Sequence, residues 1–191
     1  MGSVETSACR KMPMAQLPGS DRPTAVTLRR VEQRYARGEE RPLGSYAGLL
    51  GAYLAGVATL VTVGRARRVR VPERIPAADL ALLTVAVFRA SRLITKDSVT
   101  AVARAPFTEF KEPAGHGEVN EEVVGTGARH AVGELISCPF CISVWLATVG
   151  MFAMLAFPRA ARVVCSLLSA VAGADALQFA YSAMGQATEG G

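Results

Sequence analysis

The sequence predicts an all-α fold: a helical integral membrane protein with about four membrane-associated helices and a disordered polar N-terminal tail. Half of the 191 residues are hydrophobic and only 19% are charged. Two blocks, 42–64 and 135–157, each run for 23 positions without a charge. At about 1.5 Å per residue, a helix of that length extends about 34 Å and can cross a hydrocarbon core of about 30 Å. The composition excludes a wholly disordered chain, a fibre and a small disulfide-rich scaffold.

The predicted organisation has three parts: a polar tail at 1–41, a helical membrane domain at 42–184 and a second tail at 185–191. The first 41 residues are rich in Arg, Glu, Pro, Gly and Ser, a composition typical of disordered segments. They contain no apolar run of the kind that a signal peptide needs. We therefore expect the first apolar segment to direct the chain to the membrane.

The first predicted span, 43–64, has small residues at every fourth position. These are Gly44, Gly48, Ala52 and Gly56. Such a ridge lets two helix backbones approach closely inside a bilayer. The pattern predicts helix packing, although Gly and Ala are also simply frequent in this segment.

The second predicted span, 76–95, is the most polar. Its uncharged core, from Leu80 to Phe88, has only nine residues. It spans a bilayer only if the flanking charges lie near the interfaces, where Arg and Lys side chains extend towards headgroups. Otherwise its cationic face, with Arg89 and Arg92, is directed into the protein.

The remaining predicted spans, 139–157 and 161–184, flank Pro158. Pro139 suits the first position of a helix, with Cys138 preceding it. The intervening segment 96–134 is polar and rich in Gly and Pro, so we predict an exposed loop with one short helix near 119–129.

The formal net charge of +5 comes from 21 basic and 16 acidic residues. Because the Arg residues lie mostly beside apolar segments, they are typical of membrane-helix flanks. We predict the lipid bilayer as partner and no nucleic acid. With four spans the termini share one side, whose flanks carry nine basic residues against seven on the other. The positive-inside rule then favours cytoplasmic termini.

The sharpest local motif is C-P-F-C at Cys138–Cys141. A helix N-terminus favours a thiolate, so the motif is compatible with dithiol redox chemistry, but no strand-like segment precedes it. Zinc is a second hypothesis, with Cys138, Cys141 and His130 as ligands, although the spacing matches no common zinc module. The favoured interpretation is structural, with reduced thiols at a helix start and no cofactor.

Asp175 lies near the middle of the last predicted span. Intramembrane carboxylates usually face a countercharge or a water path, and Arg89 and Arg92 are the candidate partners. Such a pair either fixes helix packing or lines a transport path. The Ser-His-Asp, Walker, G-x-G-x-x-G and H-E-x-x-H patterns are absent from the sequence, so an enzyme is not favoured.

Three blocks resemble a known family: F-R-A-S-R-L-I-T-K-D at 88–97, R-A-P-F at 104–107 and E-L-I-S-C-P-F-C-I-S-V-W at 134–145. They are similar to a small family of bacterial and phage membrane proteins known as a domain of unknown function, number thirteen-sixty. The resemblance covers about residues 75–184 and departs from the family pattern at Phe140, where Trp is expected. It implies a multi-pass protein of the bacterial cell membrane and assigns no catalytic residue.

Our leading hypothesis is therefore a non-enzymatic protein that acts in the membrane by associating with itself or with another membrane protein. A membrane thiol-redox or metal protein centred on residues 138–141 is the alternative. A small transporter or pore that uses Asp175 is the third hypothesis.

Overall fold

A computed structural model describes Tyr35 and residues 42–189. The chain divides into two units, Met1–Arg41 and Pro42–Gly191. The predicted disordered tail, 1–41, lies outside the described residues apart from Tyr35, and the account below concerns the second unit.

The second unit is mostly helical, which confirms the predicted fold class. In chain order the elements are α1 Leu43–Ala66, α2 Ala77–Thr95, α3 Ala101–Arg104, β1 Thr108–Gly115, β2 Glu118–Val123, α4 Gly127–Ser137, α5 Pro139–Ala156 and α6 Pro158–Glu189. Among the described residues three helices, α1, α5 and α6, are long and apolar enough to cross a membrane. The sequence predicted about four. The helix α2 is not one of the three, because charged residues on both sides limit its uncharged core to Leu80–Phe88.

Prolines mark the start of all four long helices. Pro42 and Pro76 are the N-cap residues of α1 and α2, and Pro139 and Pro158 are the first residues of α5 and α6. Proline suits these positions because its φ is already close to helical and the first helical N–H groups have no intrahelical acceptor.

The helices α2 and α6 run in the same direction, and so do α1 and α5, because contacts join their corresponding ends. At one end Arg162 of α6 donates two hydrogen bonds to Asp79 of α2, and Arg67 lies over the ring of Phe157 at 5.6 Å. At the other end the chain forms the two strands. Between the ends, α2 packs against α5 and α6 around a small core of Leu83, Ala86 and Cys165.

The segment 96–134 is not the loop that the sequence predicted. It contains α3, an antiparallel hairpin of β1 and β2, and most of α4. The turn is formed by Gly115, His116 and Gly117, whose φ angles are 85°, 49° and 82°. Glycine adopts positive φ without steric penalty, so the G-H-G sequence suits this tight reversal.

The hairpin is fastened to the end of α2 rather than projecting alone. Ser98 N–H donates to the carbonyl of Gly117 at 3.0 Å, and Val119 N–H donates to that of Lys96 at 2.9 Å. An isolated two-stranded hairpin is only marginally stable in water. These bonds give the strands the support that their own sequence lacks.

Two further predicted boundaries are wrong. The short helix expected near 119–129 lies instead at Gly127–Ser137, because 118–123 pairs as a strand. The predicted tail 185–191 is helical as far as Glu189, where α6 ends. No helix-breaking proline follows Pro158, so nothing in the sequence stops α6 earlier.

Gly133 is required where α4 crosses the hairpin. A Cβ there would lie 2.5 Å from Cγ1 of Val123 and 3.0 Å from the backbone oxygen of Phe107. We expect Gly133→Ala to lower the free energy of unfolding by about 1–3 kcal/mol, since backbone cannot yield as a side chain does. Gly173→Ala is the control, because nothing lies within 4 Å of its added Cβ. Thermal unfolding of both variants in detergent measures this, and equal melting temperatures would contradict the prediction.

Candidate functional site

A polar cleft opens at the hairpin end of the unit, between α2, α6 and the hairpin turn. It encloses about 530 Å³ and has Phe88 and Phe179 among its apolar walls. The ionisable residues that line it are Arg89, Arg92, Asp97, His116, Glu118 and Asp175. Two arginines and three carboxylates line it besides His116, so the cleft has mixed charge rather than being purely cationic or acidic.

Arg89 and Asp175 meet within this cleft. The Nε of Arg89 lies 2.9 Å from Oδ2 of Asp175, and their side chains are 17% and 38% exposed. The approach lacks hydrogen-bond geometry, and within residues 42–189 this buried Nε has no hydrogen-bond acceptor. The contact is therefore an ion pair that ties α2 to α6 through charge.

Arg92, the other candidate partner of Asp175, binds elsewhere. Its Nε donates to Oε1 of Glu118 at 2.9 Å, and its terminal nitrogen donates to the second carboxylate oxygen. This bidentate contact connects α2 to the first residue of β2. The two arginines, one helical turn apart, thus bind different elements.

The hairpin turn is also in contact with α6. The ring of His116 lies edge-on to that of Phe179, with centroids 4.6 Å apart and planes inclined at 68°. Aromatic pairs prefer such edge-to-face packing. His116, which lies in the predicted loop 96–134, therefore forms one wall of the cleft.

A buried network around Arg104 holds the base of the hairpin, and the sequence motifs did not predict this role. Arg104 is 1% exposed and makes a bidentate ion pair with Glu121 of β2, at 2.7 and 3.0 Å. It also donates to the carbonyl oxygens of Ile94 and Asp97 and to the hydroxyl of Thr100. The sequence signal that could have identified this residue is the R-A-P-F block, which begins with Arg104.

Cys138 and Cys141 lie together at the start of α5. Cys138 is the N-cap, and its Sγ accepts from the N–H of Cys141 at 3.3 Å. The Cys141 thiol donates to the Cys138 sulfur at 2.7 Å, and both thiols are free. His130 instead faces Glu134, at 3.4 Å. In the described part of the chain no three His, Cys, Asp or Glu side chains are grouped to hold a metal ion.

The helix α1 has two distinct faces. Its inner face bears Tyr53, whose hydroxyl lies 2.9 Å from that of Thr148 and whose ring packs edge-on against Trp145. Nearer the N-terminus, Tyr46 donates to Glu134. These contacts attach α1 to α4 and α5.

The small-residue ridge lies on the outer face of α1. Its members, Gly44, Gly48, Ala52 and Gly56, are exposed. A Cβ added at any of the three glycines would meet nothing within 4 Å. Within this unit the ridge is thus not used for packing.

These features define a class: a mostly helical protein, with three helices able to cross a membrane and a polar hairpin at one end. The chain belongs to the family described as Protein of unknown function (DUF1360), whose model matches residues 82–181. This confirms the resemblance inferred from the three sequence blocks. The matched region includes most of α2, the hairpin, the cysteine pair and Asp175, while α1 lies outside it.

One relative is Sporulation protein YjcA of Bacillus subtilis (strain 168). It is 39% identical over 97 residues, which are 49% of this chain and 81% of the relative. No solved structure matches the chain.

Proposed function

We propose that this chain is a multi-pass protein of the bacterial cell membrane that acts by associating with a second membrane protein, its own copy or another, rather than by catalysis. With α2 counted as a fourth, partly polar span, both termini face the cytoplasm in this proposal, as the distribution of basic residues favours. The name of the Bacillus relative supports a role in spore formation wherever the host forms spores.

The observation that carries the proposal is the open ridge on α1. None of the 18 most apolar consecutive residues of this helix is buried within the chain. Lipid alone can cover such a surface, but it gains little additional contact from a groove between small side chains. A second helix gains close van der Waals contact there. The ridge therefore favours a helix as its occupant.

The test is photo-crosslinking in native membranes from position 59. Thr59 is exposed and lies seven residues after Ala52, on the same face of α1. We expect Gly48→Leu to reduce the crosslinked product about tenfold, equivalent to about 1.4 kcal/mol, because the added side chain separates the backbones.

Ala58→Leu is the matched control. Ala58 is also exposed on α1 and also replaced by leucine, but it lies on a different face from the ridge. Mass spectrometry of the crosslinked product distinguishes a second copy from another protein. Equal crosslinking in the two variants, or no crosslinked product in the wild type, would contradict association through the ridge.

The zinc-site and pore hypotheses lack a comparable observation. A zinc site needs about four ligands, and the cysteine pair gains no third from the described residues. A pore that uses Asp175 requires its carboxylate to be available, whereas it is engaged by Arg89. Neither becomes part of the proposal.

A further inference from the structure

We infer that Cys138 and Cys141 form a reversible intramolecular disulfide, so that the junction between α4 and α5 is a site of oxidative modification. The inference is independent of association through α1. It concerns a two-electron exchange with a small external disulfide of the glutathione class.

The positions of the two sulfurs carry the inference. They lie 2.7 Å apart, about 0.7 Å more than the disulfide bond length of about 2.05 Å. Cys138 is both the C-cap residue of α4 and the N-cap residue of α5, and its backbone is extended at φ −103° and ψ 110°. The fold therefore holds both thiols at one helix start.

Accessibility separates this pair from the third described cysteine. Cys141 is exposed, Cys138 is half-buried and the intervening Phe140 is 83% exposed. Cys165 is 7% exposed, within the core between α2 and α6. Packing within the chain thus leaves the two thiols at the start of α5 uncovered, whereas it covers Cys165.

The reaction proceeds by two exchanges. One cysteine, as thiolate, attacks a sulfur of the external disulfide, which breaks its S–S bond and releases one external thiolate. The second cysteine then attacks the mixed disulfide, forms the Cys138–Cys141 bond and releases the other external thiolate. The protein loses two electrons and two protons, and the external disulfide gains them as two thiols.

The test uses the full-length protein in lipid nanodiscs, with Cys9→Ser and Cys165→Ala as the background. The protein is equilibrated with mixtures of reduced and oxidised glutathione, quenched in acid, unfolded and labelled with maleimide. Intact mass then counts free thiols and glutathione adducts. We expect the protein to lose both thiols together and to retain no glutathione. Adding Cys138→Ser or Cys141→Ser should yield a glutathione adduct instead.

A second measurement shows whether the fold brings the thiols together. The same titration on protein unfolded in urea should need about tenfold more oxidised glutathione to reach half oxidation, because the unfolded chain does not hold the sulfurs side by side. Persistent free thiols, a glutathione on each cysteine, disulfides only between chains, or equal midpoints for folded and unfolded protein would each overturn the inference.

Discussion

Replacing Arg104 with methionine is expected to unfold the hairpin and to lower the free energy of unfolding by about 3–5 kcal/mol. Glu121, only 7% exposed, would remain buried without its cationic partner. The carbonyl oxygens of Ile94 and Asp97 would also lose their donor. Breaking a buried ion pair costs more than the pair itself contributes, because the remaining charge is left uncompensated.

Three variants distinguish this mechanism from a general loss of packing. Arg104→Lys should be intermediate, because an ammonium retains the charge but cannot make the bidentate contact. Arg104→Met combined with Glu121→Leu should recover part of the loss, since no charge is then left buried. Lys111→Met removes an exposed pair with Glu122 in the same hairpin and should change stability by less than about 0.5 kcal/mol.

Hydrogen exchange of amides 108–123, together with detergent unfolding, measures the effect. We expect protection of these strands to be lost in Arg104→Met and kept in Lys111→Met. If the single Arg104 variant and the double variant were equally unstable, the buried charge would not be the cause.

The sequence was sufficient to predict the long apolar helices. Uncharged blocks such as 42–64 and 135–157 determine their own environment, because 23 consecutive apolar or neutral residues suit a hydrocarbon core whatever surrounds them. The start of α5 is also determined by neighbouring residues. Pro139 fixes the first helical position, which brings Cys141 next to Cys138 within one turn.

The hairpin could not be predicted from its own residues. Its strands contain Pro113 and a cluster of glutamates, which have low strand propensity. What stabilises them is distant in sequence: Arg104 holds Glu121, and Ser98 holds Gly117. Such support is visible only when the chain is folded.

The candidate site was predictable in composition but not in pairing. The sequence identified Asp175 and offered two cations one turn apart. The choice between them depends on Glu118, which binds Arg92 and so leaves Arg89 for Asp175. Glu118 lies on a strand that the sequence did not predict. Similarly, the proposed metal set of Cys138, Cys141 and His130 ignored Glu134, which lies one turn from His130 and faces it.

The second large effect is expected at the Arg89–Asp175 pair. Asp175→Asn should destabilise the protein by about 1–3 kcal/mol, because Arg89 is 17% exposed and would keep its charge without a counterion. Arg89→Gln should cost less, since Asp175 is 38% exposed and lines the open cleft. The double variant should cost less than the sum of the two single variants, as expected for residues in direct contact.

The second α2–α6 ion pair provides an internal comparison. Asp79 and Arg162 make two good hydrogen bonds at 2.9 and 2.7 Å, yet the Arg162 side chain is 52% exposed. Asp79→Asn should therefore change stability little, since water can replace the lost partner. By geometry alone this pair is the better bonded, so the larger effect expected for Asp175→Asn depends on the deeper burial of the arginine that this change leaves without a counterion.

The comparison also tests where the helices lie in the membrane. Thirteen residues of α6 separate Arg162 from Asp175, which is about 20 Å along the helix. With Arg162 at one boundary of a hydrocarbon core of about 30 Å, Asp175 lies beyond the midplane but still within the core. A double-mutant cycle for each pair in nanodiscs measures both couplings. Equal couplings would mean that the cleft exposes Arg89 and Asp175 to bulk water, and α2 and α6 would then have to lie nearer the membrane surface.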